Sequence, residues 1–472
     1  MTLKKNTKIV CTLGPASDNR DIIEKMLNAG MNVARLNFSH GSYEHMEKIC
    51  RNLRTASKRT KHKVAIMQDL QGPKIRVGQL PEEGIILKRA QKITLVTGRK
   101  TYKNNQIPVP YKDLHKDVKK GDCLLLDDGY LEVEVTHKLG HEINCRVKTG
   151  GVLKSNKGIN CPTATIRAKA ITTKDLKDLE FGLTQDIDYV SLSFVKSAQD
   201  IQALRAELVK RGHPEVQIIA KIERHEAIKN LDGIMKEADG IMVARGDLGL
   251  EIPAEKVPIA QKEIVRLGLI HGKPVIIATQ ILESMISNPR ATRAEVSDAA
   301  TAIFDHADAF MLSGETSVGK YPIRAVSTLA KVAHAVEKEL RKKEHLINLP
   351  HKDENVYVSD AISLSAALLA EDIKAKAIVV ITKTGYTARQ IMKHRPTIPV
   401  VAITYDPKIE CQLKLVWGIN KVHISKKHIT TDIMADEMVP KILSKLEVAQ
   451  KGHEVVIVNA GRNNNFISTI VL

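Results

Sequence analysis

Aromatic residues make up only 3% of this 472-residue chain, with one tryptophan among them, so its cores must be built mainly from aliphatic side chains. Cysteine is equally sparse. Cys11, Cys50, Cys123, Cys145, Cys161 and Cys411 form no C-x-x-C pair and no metal-ligand spacing, which fits reduced thiols in a cytoplasmic protein. No apolar stretch is long enough to span a membrane. The N-terminal MTLKKNTKIVCTLGP lacks the apolar region of a signal peptide and runs straight into a strand, so a cytoplasmic location is expected. Low-complexity segments, fixed-period repeats, H-E-x-x-H and G-x-S-x-G are all missing.

Acidic charge is in deficit: the formal net charge is +18, which points to an anionic partner. The basic clusters (Lys58–Lys63, Lys119–Lys120, Arg341–Lys343, Lys426–Lys427) are scattered and carry none of the interleaved aromatics of single-strand binders. They read as solvated faces that attract small anions, with no nucleic acid and no membrane as partner.

What is present is a set of apolar runs that end in charge. Val216–Glu223 (VQIIAKIE) reads as a strand buried on both faces, then sets Lys221 and Glu223 on one face, two residues apart. Gly240–Ala244 repeats the design and ends in Arg245, Gly246 and Asp247. Burying charge is costly unless it is paired or liganded, so these strand ends look like chemistry.

Strands and helices alternate throughout. Barrel-type strands are expected at Lys8–Leu13, Asn32–Phe38, Val64–Leu70, Tyr189–Phe194, Val216–Glu223, Gly240–Ala244, Pro274–Thr279 and Ala309–Ser313. Ser17 is expected to cap the first helix and Gly30 to stop it; Thr292 and Glu295 form a capping box. Eight such units predict a (β/α)8 TIM barrel over 1–71 and 169–343. Short strands and turns over 72–168 predict an inserted small β-barrel lid, and a C-terminal α/β domain follows over 344–472. Its strands are expected at Ala377–Thr382, Val400–Thr404, Lys421–Ile424 and Glu454–Val458.

Polar residues cluster at the carboxyl ends of the barrel strands, where TIM barrels work. Arg35 and Asn37 end the second strand, Ser39 and His40 follow it, and Asp69 ends the third. Lys221 and Glu223 end the fifth, Arg245 and Asp247 the sixth, Thr279 and Gln280 the seventh, Ser313 and Glu315 the eighth. Gln280 or Ser39 alone reads as a loop cap; convergence from six strands does not. Glu223 and Asp247 offer hard oxygen ligands for Mg²⁺ or Mn²⁺. Arg35, Arg76, Lys221 and Arg245 suit a phosphorylated or carboxylated substrate, and together this is a kit for phosphoryl transfer. Gly314–Tyr321 (GETSVGKY) imitates a P-loop, but Tyr321 stands where a Ser or Thr would bind Mg²⁺.

The motifs MNVARLNFSHGS (Met31–Ser42), AKIERHEAI (Ala220–Ile228), IMVARGDLGLE (Ile241–Glu251), KPVIIATQILESM (Lys273–Met285), ATRAEVSDAA (Ala291–Ala300) and MLSGETSVGKYP (Met311–Pro322) resemble those of the pyruvate kinase family, in the family's order. The resemblance implies phosphoryl transfer from phosphoenolpyruvate to ADP, giving pyruvate and ATP, in a homotetramer. It implies Lys221 at the transferring phosphoryl group and the enolate, and Glu223 and Asp247 as metal ligands. Arg35, Ala244, Arg245, Gly246, Asp247 and Thr279 would contact substrate, with Thr279, Ser313 and Glu315 near the proton path. Asn37, Phe38, Ser39, His40, Arg76 and Lys157 would bind nucleotide under a closing lid.

Two departures from the family pattern stand out. The usual Asp-Thr-Lys-Gly-Pro-Glu is Asp69-Leu70-Gln71-Gly72-Pro73-Lys74 here, and the last loop, Gly461–Asn465 (GRNNN), lacks the usual Gly- and Pro-rich pattern. Relatives with glutamate hold K⁺ at positions matching Asn37, Ser39, Asp69 and the Leu70 carbonyl, so the Lys74 ammonium is expected to replace that ion. Thr382, Lys383, Thr384, Gly385 and Thr387 lead into a helix, a layout for a phosphate site or for a plain threonine cap. The resemblance implies a phosphorylated allosteric effector there. The competing reading is another metal-dependent barrel enzyme acting on phosphoenolpyruvate or a 2-oxo acid, an aldolase or mutase, which needs neither lid nor nucleotide residues. An inactive, nucleic-acid-binding homologue should have lost Lys221, Glu223, Asp247 and Thr279, all of which are present.

Overall fold

The structure, a computed structural model, describes residues 5–39, 41–343, 346–347, 349, 358–429, 431–460 and 465–472. Eight parallel strands close into a barrel in chain order: β1 (Lys8–Thr12), β2 (Val33–Asn37), β3 (Ala65–Asp69), β4 (Tyr189–Leu192), β5 (Gln217–Ile222), β6 (Gly240–Ala244), β7 (Val275–Ala278) and β8 (Ala309–Leu312). Lys8 pairs with Ala309 to complete the ring. Alternate residues point inward, so Val10, Val33, Met67, Tyr189, Ile219, Met242, Ile276 and Met311 fill the interior while Ile9, Ala34, Ile218 and Ile241 pack on the helices outside.

Local chemistry sets the helix ends. Asn19, not Ser17, caps the first helix, Arg20–Ala29, by accepting from the Asp21 amide at 2.8 Å; the Ser17 hydroxyl instead accepts from the Gly14 amide at 3.2 Å. Gly30 stops it at φ 121°, a conformation open to residues without Cβ. Both halves of the Thr292–Glu295 capping box are present on helix Arg293–Phe304.

The insert leaves the barrel after β3 and returns before β4. It holds a six-stranded sheet, in the order Ile159–Asn160, Cys123–Leu126, Leu131–Leu139, Glu142–Thr149, Lys92–Thr97, Ile107–Val109, beside a ribbon of Ile85–Leu87 and Gly151–Leu153. The expected small β-barrel lid is present, as a curled half-barrel. Its edge strands, two and three residues long, carry too few backbone groups to pair across the gap. The two crossings pair with each other through Ile159 N to Ile75 O at 2.9 Å and Val77 N to Lys157 O at 2.8 Å. Lys196 Nζ donates to Ile166 O and Ala168 O at 3.1 and 2.9 Å, and Arg224 Nη2 to Ala164 O at 3.2 Å, fastening the returning crossing to the barrel.

The C-terminal sheet runs Lys421–Ile424, Val400–Thr404, Ala377–Ile381, Glu454–Ala460, Asn465–Val471, the last strand antiparallel and unforeseen in the sequence. This unit sits on the barrel floor. Gln412 Nε2 donates to Glu215 O at 2.7 Å, the Tyr189 hydroxyl to Gln412 O, and buried Lys8 Nζ to Ile419 O at 2.8 Å. Residues 461–464 of the departing GRNNN loop lie outside the described residues. No described helix is long and apolar enough to cross a membrane.

Candidate active site

Continuing each inward-facing series past the last apolar residue gives the site. Val33 leads to Arg35 and Asn37, Met67 to Asp69, Tyr189 to Ser193, Ile219 to Lys221 and Glu223, Met311 to Ser313. The alternation that packs the barrel thus delivers polar groups to its carboxyl mouth.

Asp69 is 1% exposed and carries two cations. Arg35 Nε donates to its Oδ2 at 2.6 Å, and Lys221 Nζ lies 3.4 Å from its Oδ1. Lys221 also lies 2.8 Å from Glu223 Oε1 and donates to Ser193 Oγ at 2.8 Å, while Arg35 Nη1 donates to Thr12 Oγ1 at 3.0 Å. Burial alone would lower the Lys221 pKa, but Asp69 and Glu223 hold it above the ordinary lysine value, so the ammonium stays charged. Burial likewise opposes ionisation of Asp69, and Arg35 and Lys221 override it, keeping the carboxyl below its usual range. Glu223 is pushed up by burial, relieved by Lys221 and pushed further by the Asp247 carboxylate; its Oε2 accepts from the Phe194 amide at 2.7 Å.

Two hard carboxylates, Glu223 and Asp247, in a mouth rich in cations make a donor set that fits Mg²⁺ or Mn²⁺. Asp247 Oδ1 has Lys74 Nζ at 3.3 Å.

On the other side, Thr279 and Gln280 sit at φ 69° and 53°, costly for a β-branched residue. The turn is held by two groups, one of them itself anchored. The Gly246 amide donates to Thr279 Oγ1 at 2.9 Å, Arg245 Nη2 to Thr279 O at 2.9 Å, and Arg245 Nη1 to Asp298 Oδ2 at 2.8 Å. The Arg245 guanidinium is thus a strut that fixes Thr279. Glu315, 1% exposed, is another: its oxygens accept from the Ser313 amide at 2.8 Å and the Leu282 amide at 3.0 Å.

Comparison with known proteins places the whole chain in one family. "Pyruvate kinase, barrel domain" matches residues 4–326, and "Pyruvate kinase, alpha/beta domain" matches residues 360–469. A pyruvate kinase of Clostridium acetobutylicum is 42% identical over 467 residues, covering 98% of each chain. One from Thermotoga maritima is 42% identical over 456 residues, covering 96% of each. A crystal structure of a pyruvate kinase from Cryptosporidium parvum superposes with a TM-score of 0.91 at 35% identity, over 99% of this chain and 96% of that one. The chain belongs to the pyruvate kinase family. Pyruvate kinase activity follows, and the aldolase or mutase reading is set aside.

Within that family frame, several expected residues have particular settings. The Phe38 ring is buried near Tyr43 and Phe181, and its carbonyl accepts from Lys174 Nζ at 2.7 Å. Asn37 Oδ1 accepts from the Ser39 amide at 3.2 Å, and His40 lies outside the described residues. Arg76 Nη1 donates to Asn156 O at 3.0 Å and Lys157 Nζ lies 2.7 Å from Asp127 Oδ1, so both belong to the lid side of the crossing. That hydrogen bond to Asp127 raises the Lys157 pKa. The Leu70 carbonyl accepts from Ser193 Oγ at 2.8 Å, and Lys74 makes its ion pair with Asp247 and none with Asp69. In the C-terminal unit Thr382 and Thr387 are buried, Lys383 and Thr384 exposed, and Gly385 opens helix Tyr386–Met392 at φ 75°.

Sequence reading missed Ser193, Thr12 and Asp298. Ser193 had a findable signal: VSLSF ends β4 with a serine on the inward face, in the one middle strand to which no site residue was assigned.

Proposed function

We propose that Lys221 is the cation that meets the transferring phosphoryl group of phosphoenolpyruvate and the enolate left behind. The observation that carries this reading is an ammonium locked between two buried carboxylates at the barrel mouth, 2.8 Å from Glu223 and 3.4 Å from Asp69. Glu223 and Asp247 would hold the divalent ion, which supplies Lewis-acid stabilisation of phosphoryl oxygens when bound. Arg35, Ala244, Gly246 and Thr279 contact phosphoenolpyruvate, with Arg245 and Glu315 as struts beneath. The Thr279 hydroxyl, with Ser313 on the same path, relays a proton taken from solvent to the enolate carbon, giving pyruvate. ADP lies across Asn37–His40 and under Arg76 and Lys157, which the lid brings over the mouth and which exclude water from the phosphoryl donor. We read the enzyme as a cytoplasmic homotetramer. ATP formation from ADP and phosphoenolpyruvate, lost on replacing Lys221, tests the core of this assignment.

Lys74 supplies the positive charge that K⁺ provides in relatives with glutamate at this position. Activity is expected to persist when tetramethylammonium is the sole monovalent cation, and Lys74→Glu is expected to lower it and to create a response to K⁺. A wild-type enzyme silent until K⁺ is added would refute the replacement.

The loop Thr382–Thr387 takes the phosphate of an activating metabolite. Support comes from the left-handed Gly385 and the buried threonines flanking it. A panel of phosphorylated metabolites should contain one that lowers the phosphoenolpyruvate concentration for half-maximal rate, and Thr384→Ala should blunt it. Activation that survives Thr384→Ala unchanged would move the effector elsewhere.

A further inference from the structure

Each carboxylate of the mouth has a cationic partner. Asp69 is matched by Arg35, Glu223 by Lys221, and Asp247 by Lys74 at 3.3 Å. Arg245 is committed to Asp298. A divalent ion held by Glu223 and Asp247 would satisfy both carboxylates by itself and leave the cations beside them in surplus. The weakest of the three pairs should yield first. The side chains of Lys74 and Asp247 are 25% and 27% exposed, against 11% and 1% for the pairs of Arg35 and Lys221, so their attraction is the most screened.

Lys74 also occupies a mechanical position. It follows Gly72, whose amide donates to Asp175 Oδ1 of the barrel at 3.1 Å, and precedes Ile75, whose carbonyl pairs with Ile159 of the returning crossing. Its stem packs against that crossing, since a Cβ at Gly158 would meet Lys74 Cε at 3.4 Å. An open cleft lined by both crossings, Lys74 among its lining residues, lies beside it. Among the lining residues Lys74, Lys196 and Arg224 are charged, all of them cationic. A released ammonium therefore finds no carboxylate along that wall.

We propose that Lys74 is a displaceable counterion of the divalent-metal site: without metal it ties the lid crossing to Asp247, and metal uptake frees both lysine and crossing. This deepens the reading of Lys74 as the monovalent charge beside the substrate, since the ammonium freed from Asp247 is kept at the mouth by the cations Lys196 and Arg224 along that wall, and it rests on Glu223 and Asp247 being the metal ligands. Metal uptake thereby leaves the mouth net positive, ready for the anionic substrate, and unlatches the lid in the same step.

Mn²⁺ binding to the full-length enzyme without substrate, followed by electron paramagnetic resonance, tests this. Lys74→Met is expected to bind Mn²⁺ about two- to fivefold more tightly, the range for a partly exposed ion pair, with the difference shrinking at high salt. Lys74→Arg, which keeps the charge, should bind like wild type. Hydrogen exchange of the amides at 74–77 should quicken on adding Mn²⁺ to wild type but not to Lys74→Met. If Asp247→Asn loses Mn²⁺ affinity while Lys74→Met matches wild type, the latch is overturned and the ligand assignment stands. If Asp247→Asn binds Mn²⁺ as well as wild type, the ligand assignment falls and the latch with it.

Discussion

Lys221→Met should abolish phosphoryl transfer while leaving a folded, metal-binding enzyme. Among the described residues, the ammonium is the one full charge in contact with both Asp69 and Glu223 that can also face a developing oxyanion. Replacing it with a similar-sized apolar chain removes a preorganised charge from a low-dielectric site, and turnover should fall roughly a thousandfold or more, about 4 kcal/mol of barrier. The fold should hold because each carboxylate keeps another partner: Asp69 retains Arg35 at 2.6 Å, and Glu223 retains the Phe194 amide at 2.7 Å. Circular dichroism matching wild type, Mn²⁺ binding near the wild-type level and a lost coupled-assay rate are the expected set. A folded variant turning over within about tenfold of wild type would remove Lys221 from the chemistry.

Glu223→Gln attacks the same mouth from the metal side. The amide keeps the shape and can still accept from Phe194, yet it removes a charged ligand and half of the clamp on Lys221. Outer-shell changes typically cost ten- to a hundredfold in metal affinity, so losing an inner carboxylate should cost roughly a hundredfold or more. Mn²⁺ titration should show that loss directly, and raising the metal concentration should recover only part of the turnover. Unchanged Mn²⁺ affinity would show that the ion is not held by Glu223.

The barrel was legible because its signal is redundant. Every inward series alternates with outward aliphatics, and each strand end carries polar residues that packing alone would not select. Lys221 and Glu223 stood out for that reason. The curl of the lid was not legible, because closure depends on how far short edge strands reach, which composition does not record. Strand Asn465–Val471 follows a loop without family pattern, and its pairing partner lies immediately before it, so only the hairpin geometry reveals it. Within the site, sequence gave residue types but not commitments. Arg245 and Glu315 look like free reagents on paper, whereas Asp298 and the amides of Ser313 and Leu282 claim them. Lys74 reads as a monovalent charge beside the substrate, and its pairing with Asp247 depends on a turn at Gly72–Pro73 that no periodicity encodes.

The seam under the barrel has its own evolutionary character. Most of the hydrogen bonds joining the C-terminal unit to the floor end on main-chain carbonyls: Gln412 on Glu215 O, Tyr189 on Gln412 O, Lys8 on Ile419 O, Lys408 on Ile187 O and Arg395 on His306 O. A carbonyl is supplied by any amino acid, so the seam itself places no demand on the accepting side chains, whatever packing asks of Ile187 and Ile419. The donors have no such latitude, since each must span a fixed gap to a fixed oxygen. Such a joint is indifferent to spelling and intolerant of slippage: a shift of about an ångström stretches these bonds past their working range together. Mutational tolerance in this region should therefore be lopsided, permissive at exposed Glu215, limited to apolar exchanges at the core residues Ile187 and Ile419, and strict at Gln412, Lys8, Lys408 and Arg395.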